Sequence, residues 1–312
     1  MRTAYLGTSE FAAVVLRRLA ESPHRPALVV TPPDSRKGRG RRLASPPAAE
    51  TARQLGLELH QTPDVNGEES LAAIRAAEPE AIVVCALGQL IREPLLSEFV
   101  MLNVHPSLIP RWRGAAPIER ALMAGDESSG VTIMRVTAGL DSGPVALAEE
   151  IVVDPEHEGD YDYASVSRRL AELAGELLVK SLDELEAGRL GFTEQDEAAA
   201  TYAEKISPEE RRLDPSRPAS ELERVVRALT PHIGAFLELE DGGRLGVSKA
   251  EAGHRHGADG AAVPGTFDAD GQALLLNTGD GQLLLEEVQP PGKKPMSAAD
   301  FLRGHAPPTK AV

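Results

Sequence analysis

Asn103 and His105 are separated by one residue and followed by Pro106-Ser107-Leu108-Ile109-Pro110. The run Met101 to Val104 reads as a strand ending at this point, and side chains two apart in a strand share a face. A neutral amide is a hydrogen-bond donor that can hold an oxyanion. A neighbouring imidazole can move a proton near neutral pH. A third group stands in Gly139-Leu140-Asp141-Ser142-Gly143, a glycine-bracketed turn whose acid can orient the imidazole or stabilise its charge. Each piece also has a plainer reading. A lone histidine beside proline is more often structural, and a turn aspartate commonly bonds its own backbone.

The surrounding elements place this group. Ala4 to Leu6, Ala27 to Thr31, Ala81 to Ala86 and Met101 to Val104 read as buried strands. Amphipathic helical patterns stand between them, the first carrying Phe11, Val14, Val15, Leu16 and Leu19. Continuous apolar strands between such helices predict a doubly wound α/β sheet covered on both faces, with ligands at the carboxyl ends of the strands. Ser45 with Pro46 predicts a helix start, closed at Gly56. Val131 to Val136 and Val145 to Val153 lack a helix between them and predict an antiparallel edge. A long helix is expected from about Tyr163 to Ala187.

Composition changes near Ile206. Residues 207 to 218 are charged and proline-rich, as linkers are. Ser220-x-x-Glu223 has capping-box spacing before a helix, and short strands with glycine turns follow at 235–239, 245–249, 273–277 and 282–288. These predict a small β-barrel or sandwich, with Ser297 capping a last helix. The expected division is a domain over 1–189, a connector over 190–206 and a C-terminal domain over 207–312.

The 312 residues include 33 Lys and Arg against 48 Asp and Glu, a net charge of −15 that argues against a general nucleic-acid binder. The charge is unevenly spread. Arg36, Lys37, Arg39, Arg41 and Arg42 put five cations into seven residues, leaving 28 against 48, or −20, elsewhere. One cysteine excludes a disulfide framework and a cysteine-built zinc site. No apolar run approaches the ~18 residues of a membrane span, and the first residues run straight into a strand rather than a signal peptide. A cytoplasmic protein is expected. The chain has no Walker A loop, no Gly-x-Ser-x-Gly and no His-Glu-x-x-His, and Gly38-Arg39-Gly40 lacks the dinucleotide fingerprint. His254 and His256 flank Arg255 in a glycine-rich loop without ligand spacing, so no metal is expected.

Asn103-x-His105-Pro106-Ser107-Leu108-Ile109-Pro110 together with Gly139-Leu140-Asp141-Ser142-Gly143 resembles the formyltransferases that use 10-formyltetrahydrofolate. Arg111-Trp112-Arg113-Gly114-Ala115-Ala116-Pro117-Ile118, Gly7-Thr8-Ser9-Glu10-Phe11-Ala12, Tyr202-Ala203-Glu204-Lys205-Ile206 and Pro295 to Leu302 are similar to the methionyl-tRNA branch of that family. The resemblance spans nearly the whole chain. It implies a Rossmann-like catalytic domain and an OB-like barrel that touches tRNA. It implies catalysis by Asn103, His105 and Asp141, with either His105 or Asp141 as the base. Ser107, Leu108, Ile109 and Pro110, with Leu87 and Gly88, are implied to contact 10-formyltetrahydrofolate. Arg36, Lys37, Arg39, Arg41 and Arg42 are implied to reach the acceptor end of initiator methionyl-tRNA. A monomer is expected. Leu87 stands where the family usually has Tyr, Arg92 where it often has Pro, and Trp112 is the only tryptophan.

Sugar-nucleotide and glycinamide-ribonucleotide formyltransferases, or a formyltetrahydrofolate hydrolase, share the trio and the folate segment. They need neither the basic stretch nor the second domain. A tRNA-binding protein without activity is the alternative from another class, and the intact trio argues against it.

Overall fold

The computed structural model describes the chain except residues 38–41, 154–160 and 254–262, and of Lys37 and Arg42 it describes the backbone alone. Contacts divide the chain into two compact units. One comprises 1–117, 128–153 and 167–204; the other comprises 118–127, 154–166 and 205–312.

In the first unit the strands are β1 (Thr3–Gly7), β2 (Pro26–Thr31), the hairpin β3 (Ser35–Lys37) and β4 (Arg42–Ala44), β5 (Leu59–Gln61), β6 (Ala81–Cys85), β7 (Met101–His105), β8 (Arg113–Gly114), β9 (Ser128–Arg135), β10 (Val145–Val152) and β11 (Tyr202–Ala203). The helices α1 (Glu10–Ala20), α2 (Pro47–Gln54), α3 (Glu68–Ala76) and α4 (Leu95–Glu98) link the parallel strands. The main sheet runs β10-β9-β7-β6-β1-β2-β5. Strands β7, β6, β1, β2 and β5 are parallel, and β9 and β10 add the antiparallel edge that the missing helix predicts. The central strands β1, β2 and β6 are buried and mostly apolar because both faces are covered, whereas β5 and β10 at the sheet edges carry polar residues. Leu6, Val30, Ile82 and Val84 pack with Ile74, Leu95 and Met101 on one face. Alternation along β7 then carries Asn103 and His105 onto the Met101 face, at the carboxyl edge of the sheet.

The Ser9 hydroxyl caps helix α1, accepting from the Ala12 N–H at 3.2 Å. Helix α2 lacks the Ser45 start that the sequence predicts. Pro46 and Pro47 set its entry, and the Ser45 hydroxyl instead accepts from Arg53 at 2.8 Å. Fixed proline φ angles preorganise that first turn without a capping side chain.

The second unit holds α5 (Pro117–Ala124), the start of α6 (Tyr163–Glu186), α7 (Ala219–Leu229), α8 (Ala298–Gly304) and strands β12 (Ala235–Glu238), β13 (Arg244–Gly253), β14 (Phe267–Asp270), β15 (Ala273–Asn277), β16 (Gln282–Gln289) and β17 (Met296–Ser297). The antiparallel order is β12-β13-β16-β15-β14, with β17 on β16. The last residues close the rim: Leu239 bridges Ala311 and Thr266 bridges Lys310, so the tail spans the two edge strands. Residues 207–218 are not a free linker. Leu213 is buried and its N–H donates to Phe236 O at 2.9 Å, while Pro218 bridges Asp280. The expected capping box is also absent, since α7 begins at Ala219, whose N–H is taken by Asp280 O at 3.0 Å. Glu223 accepts from the Ala252 N–H at 3.1 Å. In both cases a tertiary partner takes the role that local sequence assigns to a neighbour.

Candidate active site

The three residues singled out by type and spacing meet. Asp141 accepts at Oδ1 from the Asn103 amide at 3.2 Å and at Oδ2 from the Gly114 N–H at 2.8 Å. The same Oδ2 lies 3.7 Å from Nδ1 of His105. Because a carboxylate only accepts, Nδ2 of Asn103 must face it, and a second N–H of that amide remains for a ligand. His105 is buried and Asn103 half-buried. On its other side, His105 donates from Nε2 to Trp112 O at 2.8 Å.

Backbone geometry aims these groups. Asp141 and Trp112 adopt left-handed φ values of +48° and +64°. Such conformations are uncommon for side chains other than Gly, Asn or Asp, and they cluster at functional sites. A Cβ at Gly143 would lie 1.9 Å from Arg135 O, so only glycine lets the turn pack this tightly on β9. A Cβ at Gly114 would lie 2.8 Å from Ala203 O.

The segment 107–111 is staked to the sheet. Thr132 donates to Ser107 O at 2.7 Å and accepts from the Ile109 N–H at 3.2 Å, and Ser107 donates to Arg111 O at 2.7 Å. Ser107 is buried, whereas Leu108, Ile109 and Pro110 are partly exposed. Leu87 packs into the core and Thr8 donates to its carbonyl at 3.1 Å, leaving Gly88 exposed just beyond the carboxyl end of β6.

The basic stretch lies largely outside the described residues, including Arg39 and Arg41. Arg36 is exposed on β3, and Lys37 pairs with Arg42 across the hairpin. The hairpin base is fastened by Gln61, which donates to Asp34 at 2.9 Å. Those bonds hold the Asp34 carboxyl below the usual carboxylate range. His254 and His256 also lie outside the described residues. Among those described, no cluster of His, Cys, Asp or Glu could hold a metal, and no helix is long and apolar enough to cross a membrane.

Motif reading missed Gln195, Glu197 and Thr201. Gln195 donates to Asp141 O at 2.9 Å and Gly143 O at 2.6 Å, and accepts from Arg113 Nε at 3.0 Å and Nη2 at 2.7 Å. Arg113, 1% exposed, also donates to both carboxylate oxygens of Glu197, at 2.9 and 2.7 Å. Thr201 accepts from the Trp112 N–H at 2.9 Å, and β11 runs parallel to β8. Nothing local marks these residues; only the return of the chain beside 110–116 gives them partners.

Residues 1–182 match the family described as formyl transferase, and residues 205–306 match its C-terminal domain. The methionyl-tRNA formyltransferase of Methylococcus capsulatus is 43% identical over 98% of this chain and 97% of its own. Among solved structures, methionyl-tRNA formyltransferase from Clostridium thermocellum superposes with a TM-score of 0.55 at 16% identity, over 80% of this chain and 93% of its own. HypX from Aquifex aeolicus in complex with tetrahydrofolic acid gives 0.61 at 19% identity over 97% of this chain. The chain spans about half (47%) of the length of that protein, and both structural likenesses speak to fold.

Proposed function

The chain belongs to the formyl transferase family, and from that premise we propose that it formylates the amino group of methionyl-tRNA for translation initiation, using 10-formyltetrahydrofolate. The observation that carries this reading is the single carboxylate of Asp141, bonded to the Asn103 amide and facing the His105 imidazole at the carboxyl edge of a parallel sheet. The second N–H of Asn103 and the half-buried edge around it fit an acyl oxygen.

When bound, 10-formyltetrahydrofolate supplies a formyl group on a nitrogen that can leave. The methionine nitrogen bonds to the formyl carbon as the carbon–nitrogen bond to the folate breaks. One proton leaves the amine and one ends on the departing nitrogen. Asn103 donates a hydrogen bond to the formyl oxygen as negative charge develops there. His105 has its Nε2 engaged by Trp112 O, so Nδ1 and the facing Oδ2 of Asp141 handle the proton. Leu108 to Pro110 and Gly88 hold the folate, with the buried Ser107 and Leu87 backing them from the core. Arg36, Lys37, Arg39, Arg41 and Arg42 hold the tRNA end, for which guanidinium groups suit phosphate and stacking contacts.

In this reading residues 1–189 are catalytic, 190–206 connect while lending Gln195 and Thr201 to the centre, and 207–312 form an OB-like tRNA-binding domain of a cytoplasmic monomer that takes initiator methionyl-tRNA. Purified chain is supplied with 10-formyltetrahydrofolate and charged initiator tRNA, elongator methionyl-tRNA or free sugar amines. Formylation confined to the initiator is expected. Formylation of sugar amines, or of nothing, defeats the reading.

A further inference from the structure

Asp141 presents its carboxylate from a left-handed residue, a conformation that an aspartate visits but does not lock by itself. Gln195 spans the turn, donating from one nitrogen to the carbonyls of Asp141 and Gly143 on either side of Ser142. Which way that amide faces is settled by chemistry. The Arg113 guanidinium is donor-only, so Oε1 of Gln195 must face it and Nε2 must face the carbonyls. Arg113 is itself buried and fixed by two bonds to Glu197. Those bonds hold the Glu197 carboxyl below its usual range and raise the guanidinium, so both stay charged. A charged donor polarises the amide it binds and strengthens the bonds made at the other end.

We infer that Gln195 is the positioning residue for Asp141 and that Arg113 fixes the orientation in which it works. Gln195 touches no reacting atom. It acts through Asp141 on the carboxylate that Asn103 and His105 share, and so it rests on the reading of those three as the reaction centre. Gln195→Glu keeps the length and the acceptor for Arg113 but turns both donors toward the turn into acceptors. Gln195→Met keeps the length with neither.

The test compares formylation of methionyl-tRNA by the natural chain, Gln195→Glu, Gln195→Met, Asp141→Asn and the double variants. Each Gln195 change is expected to lower kcat about 10- to 100-fold, the scale on which outer-shell hydrogen bonds act. Both KM values should stay within about twofold, since only transition-state geometry is lost. On the Asp141→Asn background the further loss should be less than about twofold, because the two residues act in series. Equal factors on both backgrounds overturn the inference, as does an unchanged kcat in either folded Gln195 variant. An inactive natural chain defeats the formyl-transfer reading alone. A crystal structure of Gln195→Met then decides: Asp141 leaving the Gly114 N–H supports the inference, and Asp141 keeping that bond overturns it.

Discussion

The ring Nε2 of His105 lies 2.8 Å from the main-chain oxygen of Trp112. A carbonyl can only accept, so Nε2 carries a proton and the neutral ring is the Nε2–H tautomer. Trp112 can offer that oxygen because it adopts a left-handed backbone and its N–H is tied to Thr201. Nδ1 thus keeps its lone pair toward Asp141, where a proton can be taken up. Nitrogen-15 NMR of the His105 ring should report Nε2–H in the neutral form, and a neutral Nδ1–H form contradicts this assignment.

Asn103→Ala and Asp141→Asn should each lower kcat at least ~100-fold, the scale of a lost oxyanion donor or acid–base group. Asp141→Asn should fold normally, because asparagine tolerates the left-handed conformation, and it gives up one accepted hydrogen bond worth about 1 kcal/mol. Steady-state kinetics beside thermal melting separates the two effects. Near-natural turnover in either variant removes that residue from the centre.

Gly143→Ala should destabilise the first unit by about 1–3 kcal/mol or more, the cost of forcing an extra carbon into a packed site. The Arg135 carbonyl stands 1.9 Å from where that carbon would sit, so β9 or the turn must move. Activity should fall with stability, because the same turn presents Asp141. Denaturant unfolding that leaves the midpoint unchanged would count against this packing.

Acid should remove part of the stability. Arg113 holds Glu197, and Arg120 holds Glu210, below the usual carboxylate range through hydrogen bonds to the guanidinium. A carboxyl depressed in the folded state stabilises above its unfolded value, about 4.3, and the contribution is lost as pH falls through the lower folded value. Glu197→Gln and Glu210→Gln should therefore melt below the natural chain at neutral pH, with the gap shrinking toward about pH 3. A gap of equal size at both pH values is the contrary result.

Arg42→Ala should raise KM for methionyl-tRNA about tenfold, the loss of one hydrogen bond to a charged group. KM for 10-formyltetrahydrofolate should not change. An unchanged tRNA KM sinks the role of the basic stretch.

The sequence by itself determined the α/β class, the antiparallel edge, the second small β unit and the trio's residue types. Those rest on period, apolar runs and the two-residue spacing of Asn103 and His105, which are local and survive any packing. It could not determine that Asp141, 36 residues beyond His105, would place one carboxylate against both, nor that Ser45 and Ser220 would lose their capping roles to proline-set entries. Least legible were Gln195, Glu197 and Thr201. They sit in an unremarkable polar stretch, and their work comes entirely from partners 52 to 89 residues away. Only tertiary structure decides such pairs, because a hydrogen bond needs atoms within about 3 Å and chain order says nothing about that distance.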